Sequence, residues 1–558
     1  MAAPLGSARM FFSVDEFPEP VPTTIKGEIP AWISGSLMRT GPGKFEVGKE
    51  AYRYWFDGLA IVHKFNIKDG KVTYQSRFLE TEAYREAMKA QRIVLSEYGT
   101  MAYPDPCKNI FARFFSYFFP PDMSDNDLVN TFPMSDEFYC VNETYRWTKL
   151  DPRTLDTLGQ IDLTKYIAVN ALTAHPHHES DGTVYNMGSS YSYKTGCQYN
   201  IVRFDPLDRK KCGTEFYDLS SPEATVLENA SIVCSIPASY SLSASYYHSF
   251  GMTPNYFVFI EQPLYMNIPK ILLARIQDVG VTECFDWYTE IPCRFVVVRR
   301  KDGEIISTKY TDHSDTFITF TLYPSADSFF CFHHINTYEE AGHLVLDLCC
   351  FEDARIVKLL YLSHLRRPDD EKSFPEPQCR RYCLPIDLGQ DEKVNNNTVK
   401  LTYTTATACL QQDGSVHCQP EHMSHVEKGF EFPTINYTKY NGKPYRYFYG
   451  TGLAGAFTDA LFKMDVKTKK LWTWREKHCY GSELIFVPSP DGVDEDDGVL
   501  LATVVDVKDE KGAFLLVLDG KTFTELGRAV IPAHVGVGYG LHGCYVPEAP
   551  PGEIFQKL

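Results

Sequence analysis

Four short stretches of the sequence place histidine in settings where an imidazole could bind a metal. Imidazole nitrogen is a common ligand for first-row transition metals such as iron, copper and zinc. A single histidine is more often a hydrogen-bonded core or surface residue, so both interpretations stay open here. The stretches are "TAHPHHESDGT" with His175, His177 and His178, "SYYHSFG" with His248, "FCFHHIN" with His333 and His334, and "GLHG" with His542.

The spacing of these histidines is compatible with a closed ring of β-sheets. His175, His248 and His333 follow one another at intervals of roughly 80 residues, which one inner strand per blade of a seven-bladed propeller would produce. Because side chains alternate along a strand, only one of His333 and His334 can face a central axis. By the same rule His175 and His177 share a face, and His178 opposes them.

Strand patterns dominate the elements that must position these residues. Segments such as "YFVFIEQPL", "RFVVVRR" and "AFLLVLDG" are short and rich in β-branched and aromatic residues, and "KDGK", "KDGE" and "QDGS" are typical turns between them. No linker divides the 558 residues. The sequence therefore predicts a single all-β domain over residues 1–558, and a propeller is the closed arrangement that leaves few exposed strand edges.

Composition narrows the classes of function. The net charge of −17, with no basic stretch, argues against a nucleic-acid partner. No G-x-S-x-G or dinucleotide-binding glycine motif supports a serine hydrolase or a nicotinamide enzyme. The first residues show no basic segment followed by an apolar one, so we predict a cytoplasmic protein whose 16 cysteines are mostly buried thiols.

The order of motifs resembles the animal carotenoid cleavage oxygenases, the family of the β-carotene oxygenases and the retinoid isomerohydrolase. The similar motifs extend from one end of the chain to the other. They include "GSLMRTGPGKFEVG", "YWFDGLAIVHKF", "YPDPCKNIF", "TAHPHHESDGTVYN", "YYHSFGMTPNY", "FHHINTYEE", "FEFPTINY", "EDDGVLL" and "GLHG".

This resemblance implies a seven-bladed β-propeller with a helical and loop cap over a non-haem Fe(II) on its axis. Matched motif by motif, the four iron ligands fall on His175, His248, His333 and His542, and the carboxylates that support them fall on Glu143, Glu431 and Glu483. Four neutral imidazoles would leave the iron its 2+ charge and open positions for dioxygen. A carboxylate on the second ring nitrogen would fix the orientation of each ligand.

The resemblance implies a carotenoid or retinoid substrate and leaves several reactions open. Cleavage of β-carotene at the 15,15′ bond to retinal is favoured by "TMAYPDPCKN", "TTATACLQQDGSVHCQPE" and "KTFTELGRA". Eccentric 9′,10′ cleavage is favoured by "GPGKFEVGKE" and "FIEQPLYMN", and retinyl-ester isomerohydrolysis by "FARFFSYF" and "NYTKYNGKPY". An iron-free carotenoid-binding propeller is the non-catalytic alternative. We predict the 15,15′ dioxygenase.

The aromatic run "NIFARFFSYFF" has helical spacing. Phe111, Phe114, Phe115 and Phe118 would share one face of a helix. Such a helix could pack into a core or lie on a membrane, and the family resemblance favours one-sided membrane contact. The predicted contact residues are Cys107, Ile110, Phe111, Phe114, Phe115 and Phe118, and Tyr103 is predicted to line the substrate tunnel.

Replacing Phe114, Phe115 and Phe118 together by serine should release the protein from membranes, because the apolar face that enters the lipid is removed. Co-sedimentation with liposomes measures the release, and the metal content should stay unchanged. Continued sedimentation of the variant would show that this run is not the anchor.

Overall fold

The computed structural model describes residues 6–102, 124–192, 194–206, 225–277, 279–306, 323–324, 328–386, 388, 392–423, 429–454, 456–508 and 512–548. Within these residues the chain forms a seven-bladed β-propeller, as predicted. Every blade is an antiparallel sheet. The predicted run Cys107–Phe118 and Tyr103 lie outside the described residues.

The first four blades contain strands from the first part of the chain, numbered in chain order, and the C-terminal strand. Blade 1 consists of β1 (Phe17–Pro22), β3 (Gly35–Lys44), β6 (Leu59–Lys68), β7 (Lys71–Phe78) and β38 (Gly543–Pro547). Blade 2 consists of β8 (Asn130–Met134), β9 (Glu137–Val141), β10 (Arg146–Leu150) and β11 (Thr157–Asp162). Blade 3 consists of β12 (Ala171–Leu172), β13 (His177–His178), β14 (Val184–Ser192), β15 (Gly196–Phe204) and β16 (Ala230–Pro237). Blade 4 consists of β17 (Gly251–Met252), β18 (Tyr256–Glu261), β21 (Arg294–Arg299) and β22 (Tyr323–Pro324).

The remaining three blades continue around the ring. Blade 5 consists of β23 (Phe330–Glu340), β24 (His343–Phe351), β25 (Gln378–Pro385) and β28 (Glu421–His422). Blade 6 consists of β29 (Gly429–Thr434), β30 (Tyr447–Ala454), β31 (Ala456–Asp465) and β32 (Leu471–Trp474). Blade 7 consists of β2 (Thr24–Gly27), β33 (Cys479–Gly481), β34 (Ile485–Pro488), β35 (Gly498–Asp506), β36 (Gly512–Asp519) and β37 (Glu525–Val530).

Short hairpins and helices cover the ends of the blades. The hairpins pair β4 (Glu46–Val47) with β5 (Glu50–Ala51), β19 (Leu264–Met266) with β20 (Phe285–Trp287), and β26 (Thr407–Leu410) with β27 (Val416–Gln419). The α-helices are α1 (Glu82–Ala90), α2 (Ile268–Gln277), α3 (Arg355–Leu359), α4 (Leu362–Leu365) and α5 (Tyr437–Tyr440). In the part of the chain that is described, no helix is long and apolar enough to cross a bilayer.

The ring is closed by strands from both ends of the chain. The C-terminal strand β38 pairs with β3 and completes blade 1, while the N-terminal strand β2 pairs with β37 and completes blade 7. Each closure therefore joins residues about 500 positions apart in sequence.

Apolar layers between neighbouring blades hold the ring together. Between blades 1 and 7, Phe65 and Ile67 pack in one cluster with Leu515 and Val517. A blade covered on both faces buries every side chain, and each residue of β24 is buried. This explains why "HLVLDLCCF" is a continuous apolar run with little alternation.

Candidate metal centre

Four imidazoles meet on the propeller axis. The potential ligand atoms of His175, His248, His333 and His542 all lie within 4.8 Å of one another. The Nε2 atoms of His175 and His248 are 2.9 Å apart, and those of His333 and His542 are 3.3 Å apart. These are the four histidines that the family resemblance selected.

Different blades supply the four rings. His175 lies in the break between β12 and β13 of blade 3, and His248 precedes β17 of blade 4. His333 is on β23 of blade 5, and His542 immediately precedes β38 of blade 1. The innermost strands of the blades therefore bring residues far apart in sequence to one point.

Carboxylates orient three of the four rings. The Nδ1 atom of His248 is 2.5 Å from Glu143 Oε1, that of His333 is 2.5 Å from Glu431 Oε2, and that of His542 is 2.9 Å from Glu483 Oε1. The carboxylate accepts a hydrogen bond from the Nδ1–H group, so the lone pair of the ring is on Nε2. Among the described residues, no carboxylate contacts the His175 ring in this way.

The three glutamates come from the three blades that supply no histidine to the cluster. Glu143 follows β9 of blade 2, Glu431 is on β29 of blade 6, and Glu483 lies between β33 and β34 of blade 7. Each of the seven blades thus contributes one residue to the centre.

Two of the carboxylates also accept a hydrogen bond from a neutral donor. Tyr246 donates its hydroxyl proton to Glu143 at 3.0 Å from both carboxylate oxygens. The backbone N–H of Phe432 donates to Glu431 Oε2 at 2.9 Å. Phe432 has a left-handed φ of 49° at a bulge in β29, a conformation that costs energy for a bulky residue. Its ring lies against the rings of His333 and His542.

Glu483 differs from the other two because it also binds an arginine. Arg39, which is fully buried on β3, donates from one terminal nitrogen to Glu483 Oε2 at 2.8 Å and to the carbonyl of Leu541 at 3.1 Å. Burial alone would raise the pKa of Glu483, but His542 and the Arg39 guanidinium outweigh it and lower the pKa. Glu483 is therefore held as a carboxylate next to the His542 ring.

The donor set fits a divalent transition metal. Burial and the neighbouring imidazoles lower the pKa of His175 well below its usual value, and burial lowers that of His542 to about 4. Rings whose Nδ1 atoms face carboxylates present their Nε2 lone pairs to one another. Such lone pairs repel unless a cation lies between them, so the arrangement is suited to a bound metal ion.

The other three histidines of the same motifs point elsewhere. His177 contacts the hydroxyl of Tyr437 at 2.8 Å and the carbonyl of Phe250 at 2.9 Å. His334 lies on the opposite side of β23 from His333, as alternation predicts, with bulges on both sides of it. His175 and His177 both face blade 4, His175 against the ring of His248 and His177 against that of Phe250, whereas His178 lies against Phe132 of blade 2, as alternation predicts.

A largely apolar cavity lies beside the four-histidine cluster. Its empty space, including the part open to solvent, is about 950 Å³, and His248, His333 and His542 contribute to its lining. Its polar lining includes Glu143 and Glu431. Its apolar and aromatic lining comes mainly from the cap, including Tyr54, Trp55, Phe56, Tyr98, Leu264, Phe285, Ile356, Val357, Leu360, Leu453 and Phe457.

Sequence reasoning missed two residues that contact the supporting carboxylates. Tyr246 could have been found from its position two residues before His248, on the same side of an extended chain. Arg39 offered a weaker signal, a charged residue within the strand "GSLMRTGPG". Its partner Glu483 is 444 residues away, which local patterns do not reveal.

The chain matches the family model described as "Retinal pigment epithelial membrane protein" over residues 11–547. It is 41% identical to the mitochondrial carotenoid-cleaving dioxygenase of Mustela putorius furo over 97% of this chain and 96% of that protein. It is also 41% identical to the β,β-carotene 15,15′-dioxygenase of Mus musculus over 95% of this chain and 90% of that protein.

Solved structures share the fold at lower identity. An ACO/RPE65 chimera has a TM-score of 0.73 at 22% identity and covers 97% of this chain and 98% of the chimera. A cobalt-substituted Synechocystis ACO has a TM-score of 0.72 at 22% identity, with the same coverage. These likenesses confirm the propeller fold.

Replacing Glu431 by glutamine should weaken metal binding by about 10- to 100-fold, because the neutral amide accepts the His333 proton less strongly. Metal analysis after dialysis against a chelator series measures the change. Glu137→Gln is a matched control, since Glu137 is equally buried but pairs with Lys149 in blade 2. Equal metal retention in the two variants would contradict a supporting role for Glu431.

His177 should make stability sensitive to acid. Burial lowers the pKa of His177 to about 4, from an ordinary value of 6.5. As the pH falls from about 6.5 to 4, the unfolded chain gains a proton that the folded protein does not, so the free energy of unfolding decreases. Above pH 6.5 both states are neutral and the histidine has no effect.

Urea unfolding of the wild type and of a His177→Gln variant at several pH values isolates this contribution from that of other buried groups. The stability of the wild type relative to the variant should fall between pH 6.5 and 4. A constant difference over this range would show that His177 is protonated equally in both states.

Proposed function

The chain belongs to the retinal pigment epithelial membrane protein family, the family of the carotenoid oxygenases, and on this premise we propose that it is a non-haem iron(II) dioxygenase that cleaves β-carotene at the 15,15′ double bond to give retinal. The observation that carries the proposal is the cluster of four imidazoles at the wall of an apolar cavity.

Iron(II) is the metal that we propose for the centre formed by His175, His248, His333 and His542. When bound, it would supply dioxygen activation, since neutral ligands leave its positive charge and coordination positions for oxygen. Glu143, Glu431 and Glu483 would hold the Nδ1 protons and so keep three of the Nε2 lone pairs directed at the metal. The cobalt-substituted structure of the same fold supports a resident metal ion of this kind.

The cavity suits a hydrocarbon substrate. A carotenoid offers no groups for hydrogen bonding, so its position must be set by the shape of the aromatic and aliphatic walls. The cut bond would then be the one that lies beside the four histidines when the chain fills the cavity. The same walls exclude water from the reacting double bond.

The site of cleavage is the finer part of the proposal. The two curated relatives are equally similar to this chain, and one of them is named for the 15,15′ bond. The motifs "TMAYPDPCKN" and "KTFTELGRA" favour the 15,15′ bond. Eccentric 9′,10′ cleavage is the second candidate, followed by isomerohydrolysis of a retinyl ester, which consumes no dioxygen.

A membrane surface is proposed as the source of the oil-soluble substrate. Apolar side chains are exposed around the β19–β20 hairpin: Leu242 is 54% exposed, Leu273 on α2 48% and Tyr240 47%. Tyr240 contacts Tyr265 on β19. The same hairpin lines the cavity through Leu264 and Phe285, so the exposed apolar surface and the cavity wall share one element.

We propose peripheral membrane association within the cytoplasm. One of the two equally similar relatives is named as mitochondrial, which does not fit the cytoplasmic placement. Fractionation of cells that express the full chain measures the compartment directly.

Protein loaded with Fe(II) and incubated with β-carotene in air should release retinal as the main product, and this requires dioxygen. Chromatography of the products under air and under argon is the measurement. His248→Ala, which removes one proposed ligand, should abolish both the product and near-stoichiometric iron.

Other outcomes identify the competing functions. Release of an ionone would indicate 9′,10′ cleavage, and conversion of a retinyl ester under argon would indicate the isomerohydrolase. Tight carotenoid binding without stoichiometric iron or product would indicate a binding protein and overturn the proposal.

A further inference from the structure

The segment that precedes blade 1 packs behind one wall of the cavity. The 3-10 helix Gly6–Phe11 lies against the cap, and Phe11 is completely buried. Its ring makes edge contacts with Trp55 at 5.6 Å and with Phe457 at 5.5 Å. Trp55 and Phe457 themselves meet edge to face at 5.1 Å, and both line the cavity.

Phe11 is not part of the cavity lining, so it forms a layer behind the Trp55–Phe457 wall. That wall lies on the His542 side of the histidine cluster, because both rings also contact Tyr539, close to His542 in sequence. The Tyr246 side of the cavity, next to His248, is instead bounded by Phe285.

Polar contacts fix the segment in place. Asp369 accepts hydrogen bonds from the backbone N–H and the hydroxyl of Ser7, and the buried Lys372 donates to the same hydroxyl at 2.6 Å. The Arg366 guanidinium donates to the carbonyl of Phe11 at 2.9 Å. These partners all lie in the residues that follow α4. The 3-10 helix is therefore held at both its start and its end.

The residues just before α4 belong to the cavity wall. The backbone N–H of Trp55 donates to the carbonyl of Leu360, which also lines the cavity. The ring of Phe11 fills the space behind Trp55 and Phe457, and this wall cannot retreat while that space is filled.

We infer that Phe11 is a specificity-determining positioning residue, which sets how far a polyene chain can extend past the histidine cluster toward Trp55 and Phe457. This inference rests on the proposed carotenoid cleavage. Because an apolar chain is positioned by where the cavity ends, a retreat of this wall would let the chain slide and bring a different double bond to the centre.

Phe11→Ala tests the inference, with Phe65→Ala as a matched control. Phe65 is also completely buried and packs against an aromatic ring, that of Tyr74, but it lies in the core between blades 1 and 7 and does not adjoin the cavity. Both variants lose a buried ring, so both should have a lower Tm.

Only Phe11→Ala should change the products. We expect the ratio of central to eccentric cleavage of β-carotene to shift by about tenfold or more in this variant, and to stay at the wild-type value in Phe65→Ala. Phe11→Leu should shift the ratio less, and Phe11→Met should restore it toward the wild type, because their side chains refill more of the space. If Phe11→Ala fails to fold, Phe11→Leu and Phe65→Leu provide the same comparison.

A binding measurement separates this inference from the proposed function. Quenching of tryptophan fluorescence by apocarotenals of two chain lengths reports the affinity for each, and Phe11→Ala should favour the longer one relative to the wild type. If the wild type cleaves no carotenoid, the proposed function fails while this comparison still tests Phe11. Unchanged product ratios and unchanged length preference in Phe11→Ala would overturn the inference and leave Phe11 as a packing residue only.

Discussion

The convergence of seven blades on one axis is the constraint on which the structure depends. Four blades each place one histidine at this point. Each of the other three blades places one glutamate there, and its carboxylate contacts one of those rings. A hydrogen bond to the second nitrogen of an imidazole fixes the direction of Nε2, and a buried carboxylate is tolerated only if it is paired. Three of the histidines are thus each paired with a glutamate from another blade, and the ring geometry brings the three pairs together.

Charge is distributed unevenly within this symmetrical arrangement. Glu143 and Glu431 bind histidine rings together with a neutral donor, a tyrosine hydroxyl or a backbone N–H, whereas Glu483 also pairs with the buried Arg39. Part of the negative charge at Glu483 is therefore balanced by Arg39. His175 has no carboxylate partner among the described residues. The four proposed ligands are chemically similar but not equivalent.

Much of the centre was accessible from the sequence, because the resemblance linked motifs that local patterns could not. Strand alternation correctly separated His333 from His334, which lie within one continuous strand. It also separated His178, which contacts Phe132 of blade 2, from His175 and His177, which both face blade 4. Strand propensity and turn patterns indicated an all-β fold. They do not show which strands share a blade, so the division of the innermost strand into two in blades 3 and 7 was not predicted. Arg39 and Phe11 were missed because their roles depend on residues hundreds of positions away.

The closing strand β38 has a consequence for how the protein is made. His542 lies directly before this strand, and its backbone N–H and carbonyl are held by Val129 and Thr40 from the beginning of the ring. A nascent chain can form the middle blades early, but it cannot complete the four-histidine cluster until His542 and β38 have left the ribosome. Metal acquisition would then follow closure of the ring, and a chain truncated before His542 would lack a ligand as well as a strand.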